Sequence, residues 1–320
     1  MRAIPSGGSP SAMLRRREML GLTASVTLVP SRLSACRTAE ERGPIPAQIR
    51  WNDPPLQAAA DARLRQLSQV RLFAWDTGGA GDAVILLHPM TGSHAIWPYQ
   101  QPVLAAAGYR VVGYSRRNFF QSDPHPASTP AADAEDLREL LDHLEIERAH
   151  LVAPAAGAFV ALDFVALHPR RVLSLMLASS LALARTAGDH LEPTPLLPAG
   201  WDELPAEFRE LGPSYRAANP VGTRRWIALE KQARHGWPQA RGQARPSAAL
   251  DLAELPPVLV MTGDADLYAP PPLIRAFARR LPDAELAVFA EAGHALFWEQ
   301  PEGFNARILS FLQQARSRNR

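Results

Sequence analysis

The chain has 320 residues, enough for one large domain or two modest ones with a substantial buried core. Hydrophobic residues make up 47% of the chain and charged residues 21%, which is typical of a globular protein. The formal net charge is +2, but residues 1–35 alone carry +4, so the remainder carries −2. The basic isoelectric point therefore originates in that first segment, and no nucleic-acid partner is predicted.

The first 35 residues have the pattern of an export signal. Arg15-Arg16-Arg17 precedes an apolar run from Met19 to Val29, which is too short to span a bilayer and has the size of a signal-peptide core. The paired arginine resembles a twin-arginine signal. Leu33-Ser34-Ala35-Cys36 resembles a lipoprotein cleavage box, with Cys36 as the lipidation site; the alternative is a plain secretory signal with a chance cysteine. We expect a periplasmic or cell-envelope location, anchored to the membrane if Cys36 is lipidated.

Residues 36–65 are rich in proline, alanine and charged residues and predict a tether followed by a short helix. Strands and helices then alternate over residues 66–180 and 251–320, which predicts an α/β core with a mostly parallel, doubly wound sheet. The predicted strands are Val70–Trp75, Ala83–Leu87, Tyr109–Tyr114, Ala149–Val152, Val172–Ala178, Pro257–Met261 and Glu285–Ala290. The predicted helices are Trp97–Ala107, Ala131–Ile146, Phe159–Val165, Pro271–Leu281 and Gly303–Gln314.

One interval, residues 181–250, interrupts this alternation. It contains many prolines and no strong strand pattern, and it predicts a small helical lid inserted between two strands of the core. For each of its large aromatic side chains, packing of the lid on itself is the favoured role, and some of them are expected to line the roof of a pocket: Trp201, Phe208, Tyr215, Trp226 and Trp237.

A tight turn connects the strand that begins at Ala149 to the apolar helix that follows. The turn contains Ala153-Pro154-Ala155-Ala156-Gly157, with small residues where strand and helix must approach each other. It resembles the nucleophile elbow of the α/β-hydrolases, written G-x-S-x-G. On that alignment Ala155 occupies the nucleophile-elbow position, so the hydroxyl that would attack a substrate is absent.

A second stretch resembles another part of the same superfamily. His88-Pro89-Met90-Thr91-Gly92-Ser93 follows a buried strand and resembles the loop that supplies a backbone donor to the oxyanion hole. The resemblance implies the N–H groups of Met90 and Ala156 as the two donors, and these do not depend on a serine at the elbow.

The remaining landmarks are an acid and a histidine in the order typical of the superfamily. Gly263-Asp264-Ala265-Asp266 follows a strand, and the resemblance implies Asp266 as the acid with Asp264 as its neighbour. Ala292-Gly293-His294 carries the histidine, and Trp298-Glu299-Gln300-Pro301 follows it. From Val70 to Leu312 the chain therefore resembles the α/β-hydrolases that cleave esters, epoxides and carbon–carbon bonds, with an inserted helical lid.

Since alanine cannot attack a carbonyl, the site has three interpretations. In the first, His294, oriented by Asp266, takes a proton from water or an acidic substrate while the backbone donors hold an oxyanion. The substrate would be a small, fairly apolar ester, lactone or activated carbonyl compound. In the second, the nucleophile has moved to another hydroxyl: Ser179, Ser180, Thr91 or Ser93. In the third, the protein binds such a ligand without catalysis.

The origin of the alanine and the need for cofactors are separate questions. The alanine could have been introduced to trap a substrate, an account that the intact export signal disfavours.

No histidine and carboxylate pattern with metal-ligand spacing occurs, so no metal site is predicted. No glycine-rich phosphate loop follows a strand, so no nucleotide is expected, and a small-molecule substrate without any cofactor is the prediction.

The export interpretation predicts that Cys36→Ala releases the protein to the soluble fraction or leaves it uncleaved. The physical reason is that stable anchoring needs more than one acyl chain, and these attach at the cysteine. Membrane fractionation measures the outcome, and an unchanged distribution would contradict lipidation. Replacing Arg16 and Arg17 together by lysine should block twin-arginine export; continued export would indicate the other secretory route.

Overall fold

The computed structural model describes residues 40–42, 52–124, 132–182, 197–234 and 250–318. The predicted export signal, Cys36 and Trp237 lie outside these ranges. Among the described helices, none combines the length and the apolar character needed to cross a bilayer.

The core of the described structure is one nine-stranded sheet in the order β1-β9-β8-β7-β6-β4-β5-β3-β2. Neighbouring strands are parallel except for two antiparallel pairs at one edge, β2 with β3 and β3 with β5. The predicted mostly parallel α/β sheet is thereby confirmed. The strands are β1 Glu40–Arg42, β2 Asp61–Gln66, β3 Arg71–Asp76, β4 Ala83–Leu87, β5 Arg110–Tyr114, β6 Ala149–Pro154, β7 Val172–Ala178, β8 Val258–Gly263 and β9 Glu285–Phe289.

Helices cover both faces of this sheet. The side chains of β4 alternate between two apolar clusters, because successive residues of a strand point to opposite faces. Helices α2, α3 and α7 contribute to one cluster, and α1 and α9 contribute to the other. The core helices are α1 Gln101–Ala106, α2 Ala132–His143, α3 Gly157–Leu167, α7 Pro271–Ala278, α8 Leu296–Glu299 and α9 Pro301–Arg318.

Two predictions near the beginning of the core are wrong. The segment predicted as tether and short helix contains strand β2, which pairs with β3 over its whole length, and β1 pairs with β9. Its charged side chains misled the prediction, because β2 is an edge strand whose side chains are mostly exposed. The helix predicted from Trp97 begins only at Gln101, with Pro102 in its first turn.

The described part of the predicted lid is helical. It contains α4 Ala206–Glu210, α5 Pro213–Ala218 and α6 Pro220–Gln232. Tyr215 and Trp226 are buried in the same apolar cluster as Phe297 and Trp298 of the core, so these lid aromatics pack onto the core as well as within the lid. Phe208, by contrast, is 51% exposed.

A close backbone approach shapes the turn between β6 and α3. A Cβ atom placed on Gly157 would lie 2.2 Å from the carbonyl oxygen of Leu87, at the end of β4. Since that neighbour is backbone, it cannot move aside as a flexible side chain could. Only glycine allows α3 to begin this close to β4.

We predict that Gly157→Ala lowers the free energy of unfolding by about 1–3 kcal/mol, because the added methyl overlaps the Leu87 carbonyl. Urea unfolding measures the change. Gly303→Ala in α9 is the matched control, since its added Cβ would meet only the ring of Phe289, at 3.2 Å. Equal stability of the Gly157 variant and the unmodified protein would contradict the proposed crowding.

Candidate active site

The residue at the elbow apex, Ala155, has a left-handed backbone with φ of +47°. This conformation costs an L-residue roughly 1–2 kcal/mol. The Ala155 N–H donates to the carbonyl of Ala178 at 2.8 Å, and the Ala155 carbonyl accepts from the Ser180 hydroxyl at 3.0 Å. The turn thus has the strained strand-to-helix geometry of an elbow, held from both sides, with a methyl group at its apex.

His294 and Asp266 are paired as predicted from their positions in the chain. Nδ1 of His294 lies 3.0 Å from each carboxylate oxygen of Asp266, and both residues are buried. The ring of Tyr268 packs against that of His294, with centroids 4.7 Å apart. The carboxylate therefore fixes the ring orientation and leaves Nε2 as the nitrogen available for proton transfer.

The carboxylate of Asp266 is itself held by its own loop. Its Oδ1 accepts from the N–H groups of Tyr268 and Ala269, at 2.9 and 3.0 Å. Burial works to raise the pKa of Asp266, but the charge and hydrogen bond of His294 and the Ala269 N–H outweigh it and lower that pKa below its ordinary value. Asp266 is therefore ionised at neutral pH, whereas Asp264 is exposed and the hydrogen bonds to Nδ1 of His294 come from Asp266.

Met90 and Ala156 provide candidate oxyanion donors. Within the described part of the chain, the N–H groups of both residues donate no hydrogen bond, so they remain available to a ligand. The carbonyl of Met90 accepts from the guanidinium of Arg234 at 2.7 and 2.9 Å, which holds this loop against the lid. The buried ring of His88 accepts from the Arg116 N–H, so His88 supports the loop from below.

The four hydroxyls considered as relocated nucleophiles do not have the surroundings of a nucleophile at the elbow apex. Ser180 donates to the Ala155 carbonyl, and Ser93 accepts from Ala95 N–H as the cap of a short helix. Ser179 is buried beside Asp266 and helps to lower that carboxyl's pKa, although its hydroxyl has no hydrogen bond of good geometry. Thr91 is likewise buried. Within the described structure, none of the four makes a hydrogen bond to His294.

A second carboxylate, which the sequence analysis missed, faces the other side of the histidine. Oε2 of Glu210, the last residue of lid helix α4, lies 4.0 Å from Nε2 of His294. The hydroxyl of Thr91 donates to the same oxygen at 3.5 Å. Glu210 is buried, and it connects the histidine to the loop that contains Met90.

A third carboxylate, that of Glu299, joins the lid to the histidine loop. It accepts from the N–H groups of Gly293 and Gly212, at 3.0–3.1 Å. Burial, the largest influence, raises the pKa of Glu299 to about 8 against the lowering effect of these hydrogen bonds. The two glycines pack back to back, since a Cβ on Gly293 would lie 2.3 Å from the nitrogen of Gly212.

The charges around His294 favour its protonated form. Burial lowers the pKa of the imidazole, but the charge and hydrogen bond of Asp266 and the charge of Glu210 outweigh burial and raise it to about 9. The ring is therefore an imidazolium at neutral pH, with Asp266 on Nδ1 and Glu210 facing Nε2. Within the residues described, no group of three or more histidine, cysteine or acidic side chains could hold a metal ion.

Sequence comparison matches almost the whole core to known families. The family described as alpha/beta hydrolase fold matches residues 82–219, and the one described as TAP-like protein matches residues 220–320. A Caulobacter sp. (strain K31) protein that carries the name carbamate hydrolase RutD is 31% identical over 266 residues, which cover 73% of this chain and 92% of that protein.

Two further similarities concern a second relative and a solved structure. The 2-hydroxy-6-oxononadienedioate/2-hydroxy-6-oxononatrienedioate hydrolase 2 of Pseudomonas putida is 28% identical over 279 residues, covering 79% of this chain and 95% of that enzyme. The structure of a thermophilic esterase from Thermogutta terrifontis has a TM-score of 0.65 and 24% identity, covering 81% of this chain and 99% of the esterase. At that identity the structural likeness shows the fold alone.

We predict that His294 remains protonated at neutral pH and loses its proton near pH 9, because the raised pKa means that the charged form persists until the pH passes that value. Histidine NMR titration measures this. Asp266→Asn should lower the pKa by more than about one unit, since the carboxylate on Nδ1 is lost. Asp264→Asn, an exposed neighbour, is the matched control; equal shifts in both variants would contradict a specific pair.

Proposed function

Because the chain belongs to the α/β-hydrolase superfamily, we propose that it hydrolyses a small, fairly apolar ester, lactone or activated carbonyl compound without forming an acyl-enzyme. The observation that carries this proposal is the buried His294–Asp266 pair, retained in a site whose elbow apex is a methyl group. A buried histidine–carboxylate pair with perturbed pKa values is typical of functional sites.

The proposed reaction uses His294 as the proton acceptor. The neutral ring is the reactive form, so the imidazolium that prevails at neutral pH must first lose its Nε2 proton. Nε2 then takes a proton from water, whose oxygen attacks the carbonyl carbon, while Asp266 stabilises the imidazolium that forms. The N–H groups of Met90 and Ala156 hold the developing oxyanion. Because no covalent bond to the protein forms, the missing hydroxyl of Ala155 is not required. An acidic substrate could replace water as the proton donor, and the same donors would then hold an enolate.

The names of the relatives support a class of substrate rather than one particular compound. The names of the two sequence relatives describe a carbamate hydrolase and a hydrolase of 2-hydroxy-6-oxo dienedioates. The substrates in these names are small molecules with a carbonyl group. Cleavage of such a compound needs a proton acceptor and an oxyanion site, which are the groups proposed here, and no cofactor.

The second candidate is a catalytically inactive ligand-binding protein on the same scaffold. The alanine at position 155 is the observation that favours it, since a binding protein needs no nucleophile. The two candidates differ in what His294 does: it is essential to turnover in the first, and in the second its removal changes only affinity.

We also propose that the protein acts outside the cytoplasm, in the periplasm or cell envelope, attached to the membrane through a lipid on Cys36. The arginine-led apolar segment and the Leu33-to-Cys36 box support this location. A site that requires no cofactor would function there without a supply from the cytoplasm.

The proposed function predicts turnover of at least one member of a panel of short-chain esters, lactones and carbamates. His294→Ala should lower kcat/KM by about 100-fold or more, because the proton acceptor is lost. A fluorophosphonate should not label the unmodified protein, since no elbow hydroxyl exists. Ligand binding without turnover, with only the affinity changed by His294→Ala, would favour the binding protein. Labelling mapped to Ser179, Ser180, Thr91 or Ser93 would instead indicate a relocated nucleophile.

Ala155→Ser is the matched variant in the same experiment. It adds one hydroxyl at the strained apex and should gain fluorophosphonate labelling and a burst of product, at a stability cost of about 1 kcal/mol or less. Introducing His294→Ala into this variant should abolish both gains. A folded Ala155→Ser protein that neither labels nor turns over would show that the imidazole or the oxyanion donors are misplaced for this chemistry.

A further inference from the structure

We propose that Glu210 is the general acid of this site: it accepts the Nε2 proton of His294 when substrate binds and then donates it to the leaving group. The proposal rests on the proposed hydrolysis at His294 and adds a catalytic residue from the lid. The two carboxylates have different roles: Asp266 orients the imidazole ring, and Glu210 accepts and donates the proton.

The position of Glu210 relative to the imidazole is the first argument. Its Oε2 lies 4.0 Å from Nε2, on the side of the ring opposite Asp266. This separation exceeds a direct hydrogen bond, but one oxygen atom lying to the side of both groups could be within hydrogen-bond distance of each. A substrate or water oxygen at that position would contact both the acid and the base.

The backbone around Glu210 is fixed to the histidine loop rather than to the lid alone. The carbonyl of Glu210 accepts from the N–H of Ala295 at 2.9 Å, next to His294 in the chain. Two residues later, Gly212 donates to Glu299, which also binds Gly293. These hydrogen bonds join the backbone next to Glu210 to the backbone on both sides of His294. The fold therefore fixes the distance between the two residues.

The charges that face Glu210 are suited to a proton exchange. Burial, the largest influence, raises its pKa, whereas the positive charge of His294 lowers it; Asp266 raises it again, and Arg209 and the Thr91 hydroxyl lower it. Once His294 gives up its proton, its positive charge no longer lowers the pKa of Glu210, and Glu210 holds a proton more strongly. Other charged or titratable groups that interact with Glu210 or with His294 are Arg234, Tyr268 and Glu299.

The proton balance of the reaction closes with these two residues. At rest His294 is protonated and Glu210 ionised; substrate binding moves the proton to Glu210. Water then loses a proton to His294 as its oxygen bonds to the carbonyl carbon, and the carbonyl electrons move to the oxyanion. When the oxyanion collapses, the bond to the leaving group breaks and the departing oxygen takes the proton from Glu210. His294 is again protonated and Glu210 again ionised, and the products are an acid and an alcohol.

The test compares Glu210→Gln with the unmodified protein on esters that share an acyl group but differ in leaving group. Glutamine keeps the shape of the side chain but cannot act as an acid. We expect kcat/KM to fall about 100-fold or more for an alkyl ester, which needs protonation as it leaves, and less than about fivefold for a p-nitrophenyl ester. Glu207→Gln, one turn earlier in α4, is the matched control and should change neither rate.

The pH profile supplies a second readout that a merely structural carboxylate would not produce. For the unmodified protein, kcat/KM for the alkyl ester should fall above about pH 9, because the shared proton is then lost. In Glu210→Gln this alkaline decline should become a plateau, since only a neutral His294 remains necessary. Glu210→Asp, which keeps an acid, should recover part of the alkyl-ester activity.

The outcomes separate this proposal from the proposed hydrolysis. Equal losses of Glu210→Gln on both esters, or no loss, would overturn the general acid while leaving His294 as the base. A histidine titration in which Glu210→Gln leaves the pKa of His294 unchanged would overturn the proton exchange, whatever the activity. Absence of turnover in the unmodified protein would overturn both. Circular dichroism and thermal unfolding establish that each variant is folded before rates are compared.

Discussion

The contact between Gly157 and the carbonyl of Leu87 is the constraint on which the site depends. Leu87 ends β4 and directly precedes the loop that contains Met90, while Gly157 begins α3, two residues after Ala155. One backbone approach therefore positions both the elbow and the loop beside it. The two candidate oxyanion donors lie on the segments that this contact joins, which is why their geometry does not require a particular side chain at either position.

A second close approach, between Gly212 and Gly293, joins the lid to the same site. The result is a continuous set of contacts across all the loops that the sequence pattern singled out. Thr91 contacts Glu210, which faces His294; His294 pairs with Asp266, beside which Ser179 lies. The next residue, Ser180, binds the elbow carbonyl. A change in any one of these groups is therefore expected to alter the protonation or orientation of its neighbours.

The sequence could predict those parts of the molecule that local patterns determine. Solid apolar runs such as Ala83–Leu87 identify buried parallel strands, and small residues around Ala155 identify the elbow turn. The His294–Asp266 pair was predictable because both residues follow strands in a familiar order. Edge strand β2 was missed, because an exposed strand with charged side chains has no apolar pattern to distinguish it from a linker.

Glu210 was beyond sequence reasoning for a different reason. It is one of several acidic residues in the lid, including Asp202, Glu203 and Glu207, and nothing in its spacing separates it from them. Its burial results from a tertiary contact, in which the Glu210 carbonyl accepts from Ala295, which is 85 positions away in the chain. Glu299 was noticed as part of a motif, but its link to Gly212 likewise depends on how the lid meets the core.

The strained backbone at the elbow determines which group the turn presents to a ligand. Ala155 and Ser179 both have left-handed backbones, with φ of +47° and +51°, each at a cost of roughly 1–2 kcal/mol. The hydrogen bonds from Ala155 N–H to Ala178 and from Ser179 N–H to Met261 extend the sheet ladder past the strand ends and offset this cost. In the proposed chemistry the apex no longer presents a hydroxyl. Its bent backbone presents the N–H of Ala156 instead, so the strained turn serves the proposed oxyanion site without a hydroxyl.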